Sequence, residues 1–182
     1  QIDLDEFDLS YYTYGMSIYK NMPLIEPLET KEVKKIYEFV IVLDTSYSID
    51  ENLAKRFISN TYSILSTSNM FYKSCKVHII QCDDRIRKDD VISNQNEMDR
   101  LLNSFSLIGG GNTDFRPVFS YVNDLINQKV FQNLCGLLYF TDGKGIYPKK
   151  SPAYKTAFIY LEDYDQSKVP SWAIQYRLEE KL

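Results

Sequence analysis

The stretch FVIVLDTSYSIDENL, residues 39–53, plants Asp44, Ser46 and Ser48 at alternate positions just past an apolar run. Alternate residues of an extended segment point the same way, so one carboxylate and two hydroxyls can face a common centre. Two further clusters offer the same chemistry: GGGNTD at 109–114 carries Thr113 and Asp114, and TDGKG at 141–145 carries Asp142. All these donors are oxygen, and no His or Cys accompanies them. A hard cation takes such a set, since Mg²⁺ accepts one or two carboxylates with hydroxyls or waters at about 2.0–2.1 Å. Without an ion, two carboxylates about 4 Å apart repel by up to about 4 kcal/mol at moderate dielectric. Five of the seven glycines (Gly109, Gly110, Gly111, Gly143 and Gly145) flank these clusters, where they let backbone come close and turn sharply.

The elements that must position these donors follow from the hydrophobic pattern. YEFVIVLD (37–44) is a near-continuous apolar, β-branched run, the mark of a strand buried on both faces. Asp50 and Glu51 start a helix whose apolar stripe is Leu53, Phe57, Thr61 and Ile64. KVHIIQC (76–82) is a second strand, and Met98, Leu101, Leu102 and Phe105 mark a second amphipathic helix. Thr113 or Asp114 can cap a third helix, with Pro117 in its first turn and Val118, Val122, Leu125 and Ile126 as its stripe. LCGLLYF (134–140), TAFIYLE (156–162) and SWAIQYRLE (171–179) complete the strands. Strands alternating with helices predict an α/β fold, a doubly wound and mostly parallel central sheet with helices on both faces. In such a sheet the residues just past the carboxyl ends of the strands line a crevice, and the three oxygen clusters fall at that edge.

At 182 residues, with 44% hydrophobic and 25% charged side chains, the chain is long and apolar enough for one globular domain. That domain is expected over residues 37–182, after an N-terminal extended arm or linker remnant at 1–36 that is acidic and tyrosine-rich. A net charge of −4 leaves no basic excess for phosphates and argues against nucleic acid. Cys75, Cys82 and Cys135 make neither a CxxC pair nor an even framework, which suits a reduced, cytoplasmic setting. No apolar run approaches membrane-spanning length. The chain begins at Gln1 rather than Met, as an excised piece of something longer would.

With these residues in view, the chain resembles a von Willebrand factor A domain of the Rossmann-like type. That family's metal-ion-dependent adhesion site is Asp-x-Ser-x-Ser with a distant Thr and a distant Asp, matched here by Asp44, Ser46, Ser48, Thr113 and Asp142. DTSYS, the CDD at 82–84, GGGNTDFRPVF and TDGKGIYP resemble more narrowly the A-like domain closing a bacterial predicted metallopeptidase family. The resemblance covers about residues 37–179. It implies that the serines and the threonine touch Mg²⁺ or Mn²⁺ directly and that the aspartates act largely through water. It also implies an open coordination position for an acidic residue of a partner protein, and an association with an ATPase of the AAA+ type. One departure is Tyr47, which stands where a small residue is common between the serines.

The expected function is therefore a Mg²⁺-dependent protein-interaction module, the C-terminal part of a larger intracellular protein. Two alternatives compete with it: a metal-assisted hydrolase with Asp83 or Asp114 as base, and a metal-free scaffold. Any peptidase centre is expected upstream, because these residues hold no HExxH and a single histidine. Asp83, Asp114, Gly111 and Gly143 are candidates to support the ligands from behind; as alternatives, Asp83 is a solvated turn residue and Asp114 a cap or ion-pair partner of Arg116. His78, mid-strand, reads as a satisfied core or edge histidine, and Lys144, Lys149 and Lys150 as solvated or partner-attracting. The glycine loop lacks the lysine of a phosphate-binding loop, which argues against nucleotide.

Overall fold

The computed structural model describes residues 37–46, 50–67, 75–161 and 163–178. Residues Ile36–Leu182 make up one compact unit. The expected N-terminal arm, Tyr47 and Ser48 lie outside the described residues.

Six strands form one sheet in the order β3-β2-β1-β4-β5-β6. They are β1 (Tyr37–Asp44), β2 (Cys75–Cys82), β3 (Ile86–Ile92), β4 (Leu134–Thr141), β5 (Thr156–Tyr160) and β6 (Ile174–Arg177). All neighbours pair in parallel except β3, which runs antiparallel to β2 at one edge. Helices α1 (Glu51–Thr67), α2 (Gln95–Ser104) and α3 (Arg116–Asn127) connect them. The α/β doubly wound sheet with helices on both faces is thus the observed architecture. Strand β3 was not expected. Its sequence IRKDDVI is too charged to read as a strand, because at an edge only Ile92 is fully covered, opposite Val77. Charged side chains along that edge also discourage pairing with another chain.

Central strand β1 shows why the sheet is two-faced. Val40 and Val42 enter one core with Phe115, Val118, Phe119 and Val122 of the α3 region. Ile41 and Leu43 enter the other, with Ala54, Phe57 and Ile58 of α1 and Met98 and Leu101 of α2. The buried stripe of α1 is therefore shifted by a residue or so from the expected one, since Ile64 is 69% exposed while Ala54 and Ile58 are fully buried. The helix starts are built locally. Asp50 Oδ2 accepts from the Leu53 N–H at 3.2 Å, and Asn94 Oδ1 accepts from the Glu97 N–H at 3.0 Å.

Between β4, β5 and α3 the core is aromatic. Phe158, fully buried, stacks on Tyr139 at 5.3 Å and meets Phe115 at 5.5 Å and Tyr147 at 5.1 Å. Phe115 follows Thr113 by two residues, so this cluster holds the start of α3 to the end of β4. Strand order reverses between β1 and β4, with β2 on one side of β1 and β4 on the other, and a crevice opens there beyond the carboxyl ends.

Phe158→Ala is expected to cost about 3–5 kcal/mol, the usual range for an emptied aromatic core site. Urea unfolding checks it, through a lower midpoint at an unchanged slope.

Candidate metal centre

Asp44 ends β1 fully buried. Its Oδ1 accepts the Ser46 N–H at 3.0 Å and its Oδ2 accepts the Thr141 hydroxyl at 2.6 Å. Thr141 Oγ1 in turn accepts the Gly143 N–H at 3.0 Å, so one hydroxyl fastens the tip of β1 to the turn after β4. Burial pushes the Asp44 carboxyl above its ordinary value; bonds from Thr141 and Ser46 oppose the rise, and the nearby Asp142 charge adds to it. Asp142 is also buried, 4% exposed, and its Oδ1 accepts the Lys144 N–H at 3.0 Å. Two acids held out of water within electrostatic reach of each other are costly unless a cation stands near them.

The third loop is brought to this edge by three ties. Gln81 reaches across from β2, its Oε1 accepting the Ile108 N–H at 2.8 Å and its Nε2 donating to Ser106 O at 3.1 Å. The Gly110 N–H donates to Thr45 O at 2.9 Å, and Gly109 packs so tightly on Thr45 that an added Cβ would lie 2.1 Å from the Thr45 hydroxyl. Beyond Thr113, the Asp114 N–H donates to Asp83 O at 3.0 Å and the Phe115 N–H to Ile146 O at 3.1 Å. Thr113 is thereby clamped between the turn after β2 and the loop after β4. Its methyl group lies where a Cβ on Gly145 would stand, 2.7 Å away.

Thr113 and Asp142 line one cavity of about 510 Å³, with Lys144, Ile146, Tyr164 and Lys168 among its other walls. On its far side Tyr164 stacks on Tyr160 with ring centroids 3.5 Å apart. Gly143 turns the chain at φ +83°, and a side chain there would press on Tyr164 and Tyr160. The structure therefore joins Asp44 and Ser46 with Thr141 and Asp142, and joins Asp142 with Thr113. Ser48 is outside the described residues.

The two carboxylates expected to support the ligands are each paired with an arginine. Asp83, fully buried, takes the Arg87 guanidinium at 2.7–2.9 Å and the Gly111 N–H at 3.2 Å. Burial alone would raise its carboxyl; the bonds from Arg87 and from Asp84 and Arg85 outweigh that and hold it well below the usual carboxylate range. It is not a solvated turn residue but a knot tying the glycine loop, and with it Thr113, to β2 and β3. Asp114 binds the Arg116 guanidinium at 2.6–3.1 Å and its backbone N–H at 2.9 Å. That pairing holds its carboxyl below the ordinary value. Sequence reasoning missed Thr141 and Gln81. The available signal was a polar residue at the last position of β4 and at the position before the last of β2.

The donor types fit a hard cation: two buried carboxylates, with hydroxyls of Ser46 and Thr113 on adjoining loops. Among the described residues, no group of three or more His, Cys, Asp or Glu side chains is placed to hold a metal, so any ion here depends on the hydroxyls. His78 lies apart, 3% exposed, its Nδ1 bonded to both Asp89 oxygens at 3.0–3.1 Å while its Nε2 is buried without a partner. Among the described residues no helix is long and apolar enough to cross a membrane.

A sequence profile described as VWA-like domain (DUF2201) matches residues 39–179. No curated protein matches the sequence. Among solved structures, the chain is similar to the ArnB paralog VWA2 from Sulfolobus acidocaldarius, 16% identical with TM-score 0.51, covering 78% of this chain and 41% of that one. It is also similar to the SpRpn10 VWA domain, 10% identical with TM-score 0.50, covering 79% of this chain and 88% of that one. A third is the conserved hypothetical protein BatB from Bacteroides thetaiotaomicron, 14% identical with TM-score 0.50, covering 79% and 90%. At such identities the likeness carries the fold alone.

Two outcomes test this geometry. Thr141→Val leaves a buried carboxylate oxygen without its donor and is expected to cost about 1–3 kcal/mol, whereas Thr141→Ser keeps the bond and most of the stability; thermal denaturation compares them. For Asp83, ionised more readily folded than unfolded, the stabilisation is fully present above the unfolded value, near the ordinary 3.8, and is lost as pH falls through the lower folded value. The stability advantage of the native chain over Asp83→Asn should therefore hold at neutral pH and shrink in acid titrations below about pH 4.

Proposed function

The chain belongs to the VWA-like domain family (DUF2201), and from that premise we propose that it is a Mg²⁺- or Mn²⁺-dependent protein-interaction module. The partner contributes an acidic side chain to the bound ion. The observation that carries this reading is the convergence of three loops, in which Asp44 is bonded to Thr141 beside Asp142, and Asp142 shares a cavity with Thr113. Asp44, Ser46, Thr113 and Asp142 would hold the ion together with Ser48. A bound Mg²⁺ would supply an electrophilic position for the partner's carboxylate. The chain's own residues do the rest: Thr141 and the Ser46 N–H orient the Asp44 carboxylate, and the Asp83–Arg87 knot keeps the Thr113 loop in place.

Recognition is favoured over hydrolysis because of what surrounds the proposed bases. A general base must accept a proton from a metal-bound water. Asp83 and Asp114 are each locked to an arginine, which depresses their basicity and occupies their oxygens. In the larger setting we place this domain at the C-terminal end of an intracellular protein of the predicted metallopeptidase type, acting with an AAA+ ATPase. The cavity beside Asp142 is the face it would present.

Calorimetric titration of the intact chain with Mg²⁺ and Mn²⁺ is expected to show one binding event that Asp44→Ala abolishes and Thr113→Ala weakens. The ion should also raise the thermal midpoint, and EDTA should remove the gain, since a ligand that binds only the native state stabilises it. A flat titration of the folded native chain overturns the reading.

A further inference from the structure

Lys144 stands out among the residues around the centre. Its backbone N–H donates to Asp142 Oδ1 at 3.0 Å while its ammonium lies 3.5 Å from Asp142 Oδ2. Main chain and side chain of one residue thus grip the same carboxylate. The side chain is 66% exposed and lines the cavity that Thr113 and Asp142 share. Glycines on both sides, Gly143 and Gly145, leave the stem without flanking side chains to hold it down. With two thirds of its surface in solvent, the lysine side chain makes an exposed ion pair with Asp142, and pairs of that kind are weak enough for another cation to compete with.

On the reading of Asp44 and Asp142 as a cation centre, we propose that Lys144 is a built-in competitor for that cation. Its ammonium is a monovalent counter-charge that a divalent ion must displace from Asp142, and it thereby sets how much cation is needed to fill the site. The effect is electrostatic. Asp142 is buried and adds its charge to the neighbourhood of Asp44. A tethered positive charge relieves that repulsion when no ion is bound, and the same charge repels an arriving dication. Both effects lower affinity. The backbone bond from Lys144 to Asp142 survives any side-chain substitution, so the turn that aims Asp142 is retained while the charge is changed.

The test is Mn²⁺ calorimetry on the intact chain and its Lys144→Arg, Lys144→Gln and Lys144→Glu variants at low ionic strength, with thermal melts confirming equal folding. Lys144→Gln is expected to bind Mn²⁺ about threefold to tenfold more tightly than the native chain, the size of a lost exposed pair plus a removed like charge. Lys144→Glu should bind more tightly still and Lys144→Arg within about twofold of native. The series should converge in about 0.5 M KCl, where exposed charges are screened. A Lys144→Gln affinity equal to or below native, with native binding intact, overturns the role of Lys144 and leaves the metal reading standing. Absence of Mn²⁺ binding in the native chain and in every variant overturns both.

Discussion

A carboxylate without water at the end of the central strand is the constraint around which this domain is arranged. Asp44 has no exposed surface, and burying an ionised group is among the costliest steps in folding unless partners compensate it. The partners are supplied from outside its own strand as well as from within. Thr141 comes from β4 and the Ser46 N–H from the turn that follows β1. Because Asp44 must be satisfied there, β4 must stop level with β1, and the turn carrying Asp142 must then fold over the same edge. The reversal of strand order between β1 and β4 is what makes such a meeting possible.

The glycine loop is held by a different device that reaches the same place. Asp83 and Arg87 form a buried ion pair at the β2–β3 turn, and their value lies in what the pair fixes. Asp83 contributes its side chain to the Gly111 N–H and its main-chain carbonyl to the Asp114 N–H, one residue on each side of the segment that holds Thr113. Phe115 then inserts into the aromatic cluster of Tyr139, Tyr147 and Phe158. A loop rich in glycine, which would otherwise lose much entropy on ordering, is thus fastened at both ends to rigid strands. Thr113 is placed through the residues that flank it in the chain.

Polar groups in this domain divide into two kinds. Those that are saturated, such as Asp83, Asp114 and Gln81, hold loops and have nothing left to offer. Asp44 and Asp142 are buried with no arginine among their described partners, which include hydroxyls, backbone N–H groups and the Lys144 ammonium. That difference in saturation, more than the number of acids, separates the structural carboxylates from the two proposed to hold a cation. His78 follows a third pattern, paired through Nδ1 to Asp89 and closed off against Phe131 on its other side, remote from the strand tips.

Periodicity and residue type alone specified the parallel strands, the three helices, the two-faced sheet and the loops from which the oxygen donors come. Those features are local: β-branched apolar runs, stripes at helical spacing and glycine-flanked turns declare themselves without knowledge of their neighbours. Strand β3 escaped because an edge strand buries little and IRKDDVI has no apolar alternation to betray it. Thr141, Gln81 and the particular bonds through which Asp83 fastens its loop escaped for a related reason. Each acts through a partner distant in the chain, Thr141 on Asp44, Gln81 on the 106–108 segment and Asp83 on Arg87 and Gly111. Which acid is neutralised by a guanidinium and which is left to its neighbours' hydroxyls is decided only when the strands are laid side by side. Burial and charge pairing are properties of the assembled chain, whereas hydrophobic rhythm is written residue by residue.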